Sequence, residues 1–136
     1  MKFLSIRDER LLQLSADNNV LTIDVSEDVS GKAELLEKIA SAGHFPEYFG
    51  GNWDALEELL TDMSWVKEKT ILFRQLGRLD KLNTEDLTIY FNILESVGLC
   101  WSTTAEKSFQ AVLSERCAAN YNVRAALQKV SSPQGA

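Results

Sequence analysis

Cysteine, proline and histidine are scarce in this 136-residue chain, which has two cysteines, two prolines and one histidine. Two cysteines without a CxxC motif exclude a disulfide-stabilised scaffold and are typical of reduced thiols in a cytoplasmic protein. With only seven glycines, the chain is neither collagen-like nor low-complexity. It lacks the roughly 18 consecutive apolar residues of a membrane-spanning helix. Charged residues at positions 7–10 also end the first apolar run before a signal peptide could form. We therefore expect one cytoplasmic domain over residues 1–136.

Positive charge is also in short supply, because 14 Lys and Arg residues face 20 Asp and Glu residues, for a net charge of −6. Nucleic-acid binding and docking on anionic membranes both require a cationic surface. The balance therefore counts against those two functions and favours a positively charged protein partner. The negative charge is concentrated, since no Lys or Arg lies between Lys38 and Lys67, while the rest of the chain is nearly neutral. The acids of this window are Glu47, Asp54, Glu57, Glu58 and Asp62.

The first half of the chain predicts a strand followed by two helices. Apolar and polar residues alternate over Val20–Val25, which is a strand pattern. Gly31–Ala42 has a helical apolar face, and Gly43 is placed to end that helix. His44–Gly51 contains a proline and two glycines and is predicted to be a loop. A second helix is expected from an Asn52 N-cap to about Met63.

The second half predicts two more strands and two more helices. Thr70–Phe73 is a short strand, and Asn83–Val97 is a helix with acids in its first turn and Gly98 as its stop. Ser108–Ser114 is a third strand, and Glu115–Val130 reads as a terminal helix.

The order of these elements predicts an α/β fold. Strands separated by helices favour a small sheet with parallel neighbours joined by right-handed crossovers. Residues 2–15 are predicted to add one or two strands. No repeat or linker-like stretch divides the chain, so the prediction is one domain.

The predicted second helix has two contrasting faces. Its apolar side comprises Trp53, Leu56, Leu59, Leu60 and Met63. Its polar side comprises Asp54, Glu57, Glu58 and Thr61. Like-charged carboxylates four residues apart each cost an isolated helix roughly 0.2–0.5 kcal/mol. Two interpretations follow: an ordinary solvated acidic face, or a surface whose self-repulsion a cationic partner relieves.

The loop before this helix offers two neighbouring aromatics beside glycines, Tyr48 and Phe49. Exposed aromatic side chains are frequent anchors of protein interfaces. Alternation along the chain predicts that Phe49 packs inward against Trp53 and that Tyr48 is exposed.

Residues 45–61, with the sequence FPEYFGGNWDALEELLT, closely resemble the loop-and-helix signature of the barstar family, the intracellular inhibitors of small basic ribonucleases. The family pattern is Pro-Glu-Tyr-aromatic-Gly-x-Asn-x-Asp-Ala-Leu, followed by an acid in the next turn and Leu-Thr. Residues 73–76, FRQL, are similar to the second strand of the family. The resemblance covers about residues 20–114 and leaves 1–19 and 115–136 as extensions of the domain.

This resemblance implies a two-layer fold with a three-stranded parallel sheet, in which the second helix and its loop block a ribonuclease active site. In the family, aspartates on that helix take the place of substrate phosphate. Position by position, Asp54 matches the first of them and Glu58 the second, most buried one. Tyr48, Gly50 and Asn52 match interface positions. The predicted partner-binding residues are Tyr48, Gly50, Asn52, Trp53, Asp54, Glu57 and Glu58, with Glu47 and Asp62 adding to the field that attracts a cationic partner.

The chain departs from the family pattern at several positions. Glu58 is one methylene longer than the family aspartate, and Glu57 stands where the namesake carries a tryptophan. A family acid on the later helix falls near Ile93, so that charge is missing. Residues 99–107 look like an insertion. These departures predict a partner that is not interchangeable with that of the namesake.

Other chemistry has weaker support in the sequence. Asp54 and Glu58 have the spacing of an acid/base or metal-binding pair, but His44 is the only histidine and lies in a predicted loop. No phosphate-binding or dinucleotide motif is present, so no cofactor is expected. The prediction is a non-catalytic, cytoplasmic inhibitor of a small basic ribonuclease or nuclease toxin, monomeric when free. The alternative is a barstar-like module for a non-nuclease cationic partner.

Overall fold

The computed structural model describes residues 2–7, 19–104 and 106–131. Within them, four strands form one parallel sheet with the order β1-β4-β3-β2. The strands are β1 (Leu4–Arg7), β2 (Val20–Val25), β3 (Thr70–Gln75) and β4 (Ser108–Ser114). The helices are α1 (Lys32–Ala42), α2 (Trp53–Thr61), α3 (Thr84–Trp101), α4 (Glu115–Ala118) and α5 (Tyr121–Ser131), with a 3₁₀ turn at Met63–Trp65.

The predicted α/β fold with a parallel sheet is confirmed, and two of its strands have the predicted bounds. The strand predicted at Thr70–Phe73 continues to Gln75, because all six residues of β3 pair with β2. Residues 2–15 contribute the predicted additional strand, β1, which pairs with β4 and adds a fourth strand to the three that the resemblance implies. The part of that prediction at residues 8–15 lies outside the described residues.

The prediction that Gly98 ends the third helix is wrong. Helix α3 continues through it to Trp101, and Gly98 is buried. A Cβ at this position would lie 2.2 Å from the Cβ of Phe3, which is not possible without displacement. Glycine is therefore required where Phe3 of the N-terminal segment crosses the helix, and residues 99–101 of the supposed insertion are the last turn of α3.

The C-terminal helix is divided into two. Helix α4 begins at a Ser114 cap, whose Oγ accepts a hydrogen bond from the Cys117 amide at 3.1 Å. The helix is then interrupted at Asn120, whose Oδ1 accepts hydrogen bonds from the amides of Asn122 and Val123 at 2.9 and 3.2 Å. Such side-chain acceptors compete with helix continuation and begin the new helix α5. Helix α5 packs on α3.

Helix α3 is central to the core and also supports α2. The Tyr90 ring is fully buried, and its hydroxyl is 2.7 Å from the Oε1 atom of Gln75, a buried polar side chain of β3. Burial raises the pKa of Tyr90 well above its usual value. The phenol therefore remains a hydrogen-bond donor that ties α3 to the sheet.

Candidate functional site

The loop between α1 and α2 is held by packed aromatic rings. Phe45 makes edge-to-face contacts with Phe49 and with Trp65, at centroid distances of 5.1 and 5.3 Å. Gly43 ends α1 as predicted, but its φ is −89°, and the left-handed residue is His44 with φ 51°. Gly43 is needed for space, because its Cβ would lie 2.5 Å from the Phe45 ring.

The two adjacent aromatics of the loop separate as predicted. Tyr48 is 69% exposed, whereas Phe49 is partly buried against the core. The ring partner of Phe49 is Phe45 rather than the predicted Trp53. A bond from the Phe49 amide to the Pro46 carbonyl at 3.1 Å closes a turn that leaves Tyr48 facing outward.

Helix α2 begins at the predicted cap. The Asn52 Oδ1 accepts a hydrogen bond from the Ala55 amide at 2.7 Å. Trp53, predicted to bind the partner, lies in the core with 8% of its surface exposed and its ring stacked on Tyr90 at 5.7 Å. Its Nε1–H points to the Asp86 carboxylate at 3.4 Å, so it joins α2 to α3. This position was also on the predicted apolar face, and that interpretation is confirmed.

The C-terminal turn of α2 is held by two indoles. The helix ends at Thr61, two residues before the predicted Met63. Its last carbonyls lack partners within the helix. The Trp65 indole donates to the Leu59 carbonyl and the Trp101 indole to the Leu60 carbonyl, each at 2.7 Å. The Leu60 carbonyl is satisfied in this way, and the Leu59 carbonyl, which also accepts from the Asp62 amide at 3.2 Å, gains a second donor. Both indoles fix the end of the helix against its neighbours.

The five acids between Lys38 and Lys67 lie on the solvent-exposed side of α2 and its preceding loop. Asp54, Glu57 and Glu58 are exposed, as are Glu47 in the loop and Asp62 at the helix end. In the described part of the chain, no Lys or Arg forms a salt bridge with any of the five. The hydroxyl and amide of Ser64 donate to Asp62 Oδ1 at 2.7 and 3.0 Å and lower the pKa of that carboxyl.

A surface cavity of about 330 Å³ lies between the loop and α2. It is lined by Tyr48, Phe49, Gly50, Ala55, Glu58, Leu59 and Asp62. Of the predicted partner-binding residues, the structure brings Tyr48, Gly50 and Glu58 together here. Asp54, Glu57 and Asn52 are exposed beside this cavity but do not line it.

Asp62 is the cavity residue whose position the sequence reasoning missed. From the sequence, Asp62 is predicted to contribute only to the field that attracts a cationic partner. It lies four residues after Glu58, the spacing that brings side chains onto one side of a helix. This spacing indicates from the sequence that Asp62 lies beside Glu58, whereas the cavity that both line is visible only in the geometry of the loop and α2.

Among the described residues, the two cysteines and the histidine do not line this cavity. Burial raises the pKa of the Cys117 thiol to about 12, so it stays protonated at neutral pH. His44 is exposed in the loop, and Cys100 is exposed on α3. No three His, Cys, Asp or Glu side chains of residues 2–7, 19–104 and 106–131 are grouped as metal ligands. No helix among these residues has the length and apolar character to cross a bilayer.

Comparison with known families gives one finding. A family model described as Barstar (barnase inhibitor) matches residues 18–114. The matched region contains the loop, α2, the cavity and strands β2 to β4, whereas β1, α4 and α5 lie outside it. No curated protein matches the chain.

Proposed function

Since the chain belongs to the barstar family, we propose that it inhibits a small basic ribonuclease or nuclease toxin by covering the enzyme's active site with the α1–α2 loop and helix α2. The observation that carries this proposal is the row of exposed acids on a helix held by tryptophans, where no salt bridge to these acids is formed among the described residues. The protein acts in the cytoplasm, without catalysis or a cofactor, and is monomeric when free.

Asp54 and Glu58 imitate RNA phosphates in this mechanism. A ribonuclease site that binds a polyanion presents cations, and two exposed carboxylates one helical turn apart offer it matching charges. Because these carboxylates have no salt bridge in the described chain, binding does not have to break one. Helix α2 is already ordered, which limits the entropy lost on association.

The loop supplies the remaining contacts. Tyr48, at 69% exposure, is the aromatic anchor beside the acids. Gly50 allows the partner to approach the backbone. Asn52 uses its carbonyl oxygen to cap α2, so its amide group is what it offers to a partner. Trp53 acts from the core by holding α2 in place.

Long-range attraction complements these contacts. Glu47, Glu57 and Asp62 add negative potential around the two carboxylates, and a cationic enzyme approaching this side is oriented before contact. The association rate should therefore fall as salt rises, because the screening length is about 10 Å at 0.1 M salt.

The departures from the family pattern favour a different cognate enzyme from that of the namesake. Glu58 reaches further than an aspartate, and Glu57 presents a charge where the namesake has an aromatic side chain. Ile93, near the position of a missing family acid, is 6% exposed and belongs to the core. That part of α3 therefore offers no replacement charge.

Pull-down from the source cells, followed by an RNA-cleavage assay on the recovered protein, tests the proposal. The Asp54→Ala/Glu58→Ala variant should lose inhibition by about 1,000-fold or more, since charged anchors at interfaces are worth several kcal/mol. Its Tm should be unchanged or higher, because like-charge repulsion is removed. The matched control is Glu37→Ala/Glu106→Ala, which removes two exposed acids elsewhere.

Full inhibition by the Asp54→Ala/Glu58→Ala variant would overturn the proposed mode of binding. Recovery of a cationic partner without nuclease activity would instead favour the alternative of a barstar-like binding module.

A further inference from the structure

We propose that the outer edge of β2 binds an extended peptide segment of a partner protein, which adds a fifth strand to the sheet. The segment carries a basic side chain and, four residues later, an apolar side chain. This surface is separate from the acidic site, because neither Tyr48 nor any acid of α2 and its loop lines the two cavities beside β2. The inference therefore goes beyond the proposed function and does not depend on the target of α2.

Strand β2 lies at the edge of the sheet and pairs on one side only, with β3. The Val25 carbonyl accepts a hydrogen bond from the Leu76 amide, on the β3 side, at 2.9 Å. Backbone groups alternate in direction along a strand, so those of Val20, Thr22 and Asp24 point away from β3. No turn, loop or cap among residues 2–7, 19–104 and 106–131 bonds to them. Another extended backbone is the partner that matches such a row of donors and acceptors.

The opposite edge of the sheet, formed by β1, is protected in a way that β2 is not. The Phe3 carbonyl accepts from the Ala111 amide of β4 at 2.8 Å, so the same alternation turns the Leu4 amide outward. The Glu95 carboxylate of α3 accepts a hydrogen bond from that amide at 3.1 Å. Proteins commonly protect edge strands by covering them or placing charges there. Within the described part of the chain, β2 has no equivalent of Glu95 on its outer backbone groups, so β2 is the edge available to a partner.

Two surface cavities lie beside the ends of the β2 edge, next to the C-terminal part of α1 and the residues that follow it. The first, of about 170 Å³, is lined by Asp24, Val25, Ser26, Glu27, Lys38, Ser41 and Ala42. The second, of about 220 Å³, is lined by Leu21, Gly43, His44, Trp65, Lys67 and Glu68. Because Leu21 and Val25 lie on the same face of β2, alternate side chains of an added strand reach both cavities.

The residues that line the cavities determine which side chains fit. At the carboxyl end of β2, Asp24 and Glu27 outnumber Lys38 by one negative charge, and the Glu27 side chain is 68% exposed despite its salt bridge. This cavity therefore favours Lys or Arg. At the other end, Leu21 and Trp65 are only partly buried and supply apolar surface for an aliphatic side chain.

Antiparallel pairing determines the order of the side chains in the segment. Antiparallel strands pair slightly more strongly than parallel ones, and Val20, Thr22 and Asp24 can then each exchange two hydrogen bonds with one residue of the segment. Because the segment runs against β2, its basic residue comes first and its apolar residue last. A β-branched residue between them lies opposite Ile23.

Titration of the whole ¹⁵N-labelled protein with the peptide acetyl-Thr-Arg-Thr-Val-Thr-Leu-Thr-amide, followed by NMR, tests this edge. We expect saturable shifts at the amides of Val20, Thr22 and Asp24, with a Kd on the order of 0.1–1 mM for a single short strand. Replacing the arginine of the peptide with glutamate should weaken binding several-fold, because the charge no longer matches the cavity beside Glu27.

N-methylation of the peptide distinguishes strand pairing from other modes of binding. The threonine between valine and leucine lies opposite Thr22, so methylation of its amide removes a hydrogen bond to β2 and should weaken binding about tenfold or more. The valine amide points away from β2. The peptide methylated there is the matched control and should bind like the unmodified peptide.

Thr22→Pro is the informative variant of the protein, because the Thr22 amide takes no part in the bonds to β3 and proline is tolerated on edge strands. It should abolish the peptide-induced shifts and leave the binding of a partner to α2 unchanged. Thr22→Val keeps the backbone donor and should bind the peptide normally. Glu27→Gln leaves the strand intact and should reduce the preference for the arginine peptide over the glutamate peptide.

Equal binding of the two N-methylated peptides, or no saturable shifts along β2 with the unmodified peptide, would overturn the proposal. Concentration-dependent self-association that Thr22→Pro abolishes, without peptide binding, would also overturn it and would assign the edge to a second copy of the chain. Peptide binding at β2 would stand even if the partner recovered through α2 did not cleave RNA, so the two proposals fail separately.

Discussion

Two acidic regions of this protein have opposite electrostatic surroundings. The acids of β2 and the turn after it are each paired with a cation from another part of the chain. These pairs are Asp24 with Arg74, Glu27 with Lys38, and Asp28 with Arg116. The acids of the α1–α2 loop and α2 have no such partner among the described residues.

The difference separates acids that hold the fold from acids available to a partner. Asp24 and Arg74 join β2 to β3 through two hydrogen bonds. Asp28 accepts hydrogen bonds from both the Arg78 amide and the Arg116 side chain, each at 2.8 Å, and so joins the turn after β2 to the loop after β3 and to α4. On the α2 side, the structure is held by apolar packing and tryptophan hydrogen bonds, and the carboxylates stay exposed, as the proposed function requires.

Introducing a cation among the unpaired acids of the α1–α2 loop and α2 should have the largest effect, on the rate of association with the partner. Glu57→Lys places an ammonium group within reach of Asp54, three residues earlier. We expect the association rate with the recovered partner to fall about tenfold or more, because the attracting field is reduced. Stopped-flow measurement at low salt checks this. Glu37→Lys on α1 makes the same change in net charge, and an equal effect from both variants would contradict the comparison.

Removing a carboxylate from the paired region should instead affect stability. Asp24→Ala leaves Arg74, whose side chain is 15% exposed, without its partner. We expect the free energy of unfolding to fall by about 1–3 kcal/mol, with inhibition unchanged. Urea unfolding measures the loss, and the Asp24→Ala/Arg74→Ala double variant shows whether the pair itself is responsible. An unchanged unfolding free energy for Asp24→Ala would remove the structural role assigned to this acid.

Lowering the pH should reduce the stability that the paired acid Asp28 contributes. The Arg78 amide and the Arg116 guanidinium hold the pKa of Asp28 below its usual 3.8. The unfolded chain therefore takes up the proton at higher pH, so this stabilisation is present above that value and is lost as pH falls through the lower, folded pKa. Asp28→Asn should flatten the decline in unfolding free energy on acidification, and an unaltered slope would contradict the assignment.

Removing like-charge repulsion from α2 should give the smallest effect, and it should raise the free energy of unfolding. Glu58→Gln removes like-charged contacts with Asp54 and Asp62, each costing roughly 0.2–0.5 kcal/mol. We expect a gain in unfolding free energy of about 0.5 kcal/mol at low salt that shrinks as salt is added. Parallel urea titrations at two salt concentrations measure it. A loss of stability would show that Glu58 supports the fold.

Features encoded by neighbouring residues were predictable from the sequence. Alternation located Val20–Val25, the side-chain oxygen of Asn52 marked the start of α2, and the turn between Pro46 and Phe49 left Tyr48 outside. The acidic window was also visible, since its five acids fall within residues 47–62, a stretch without Lys or Arg.

Features that depend on distant residues were not predictable in this way. Gly98 has the local signature of a helix stop, and only the crossing of Phe3 explains why it lies inside α3. Trp53 matched a binding motif, but its burial depends on Tyr90. The cavity requires the aromatic packing of the loop, so Asp62 could be assigned a charge from the sequence but not a place in the site.

The pairing of β1 with β4 has a consequence for the protein during its synthesis. The amides of Lys2, Phe3 and Leu4 bind the Glu95 carboxylate, and β1 then pairs with residues 111–114. Strand β1 is therefore synthesised well before the strand with which it pairs. The α1–α2 loop and α2 lie between β2 and β3, and α2 packs on α3, which is synthesised before β4. A pause in translation before β4 would leave a chain whose helix α2 has been made but whose sheet lacks the strand that joins β1 to β3.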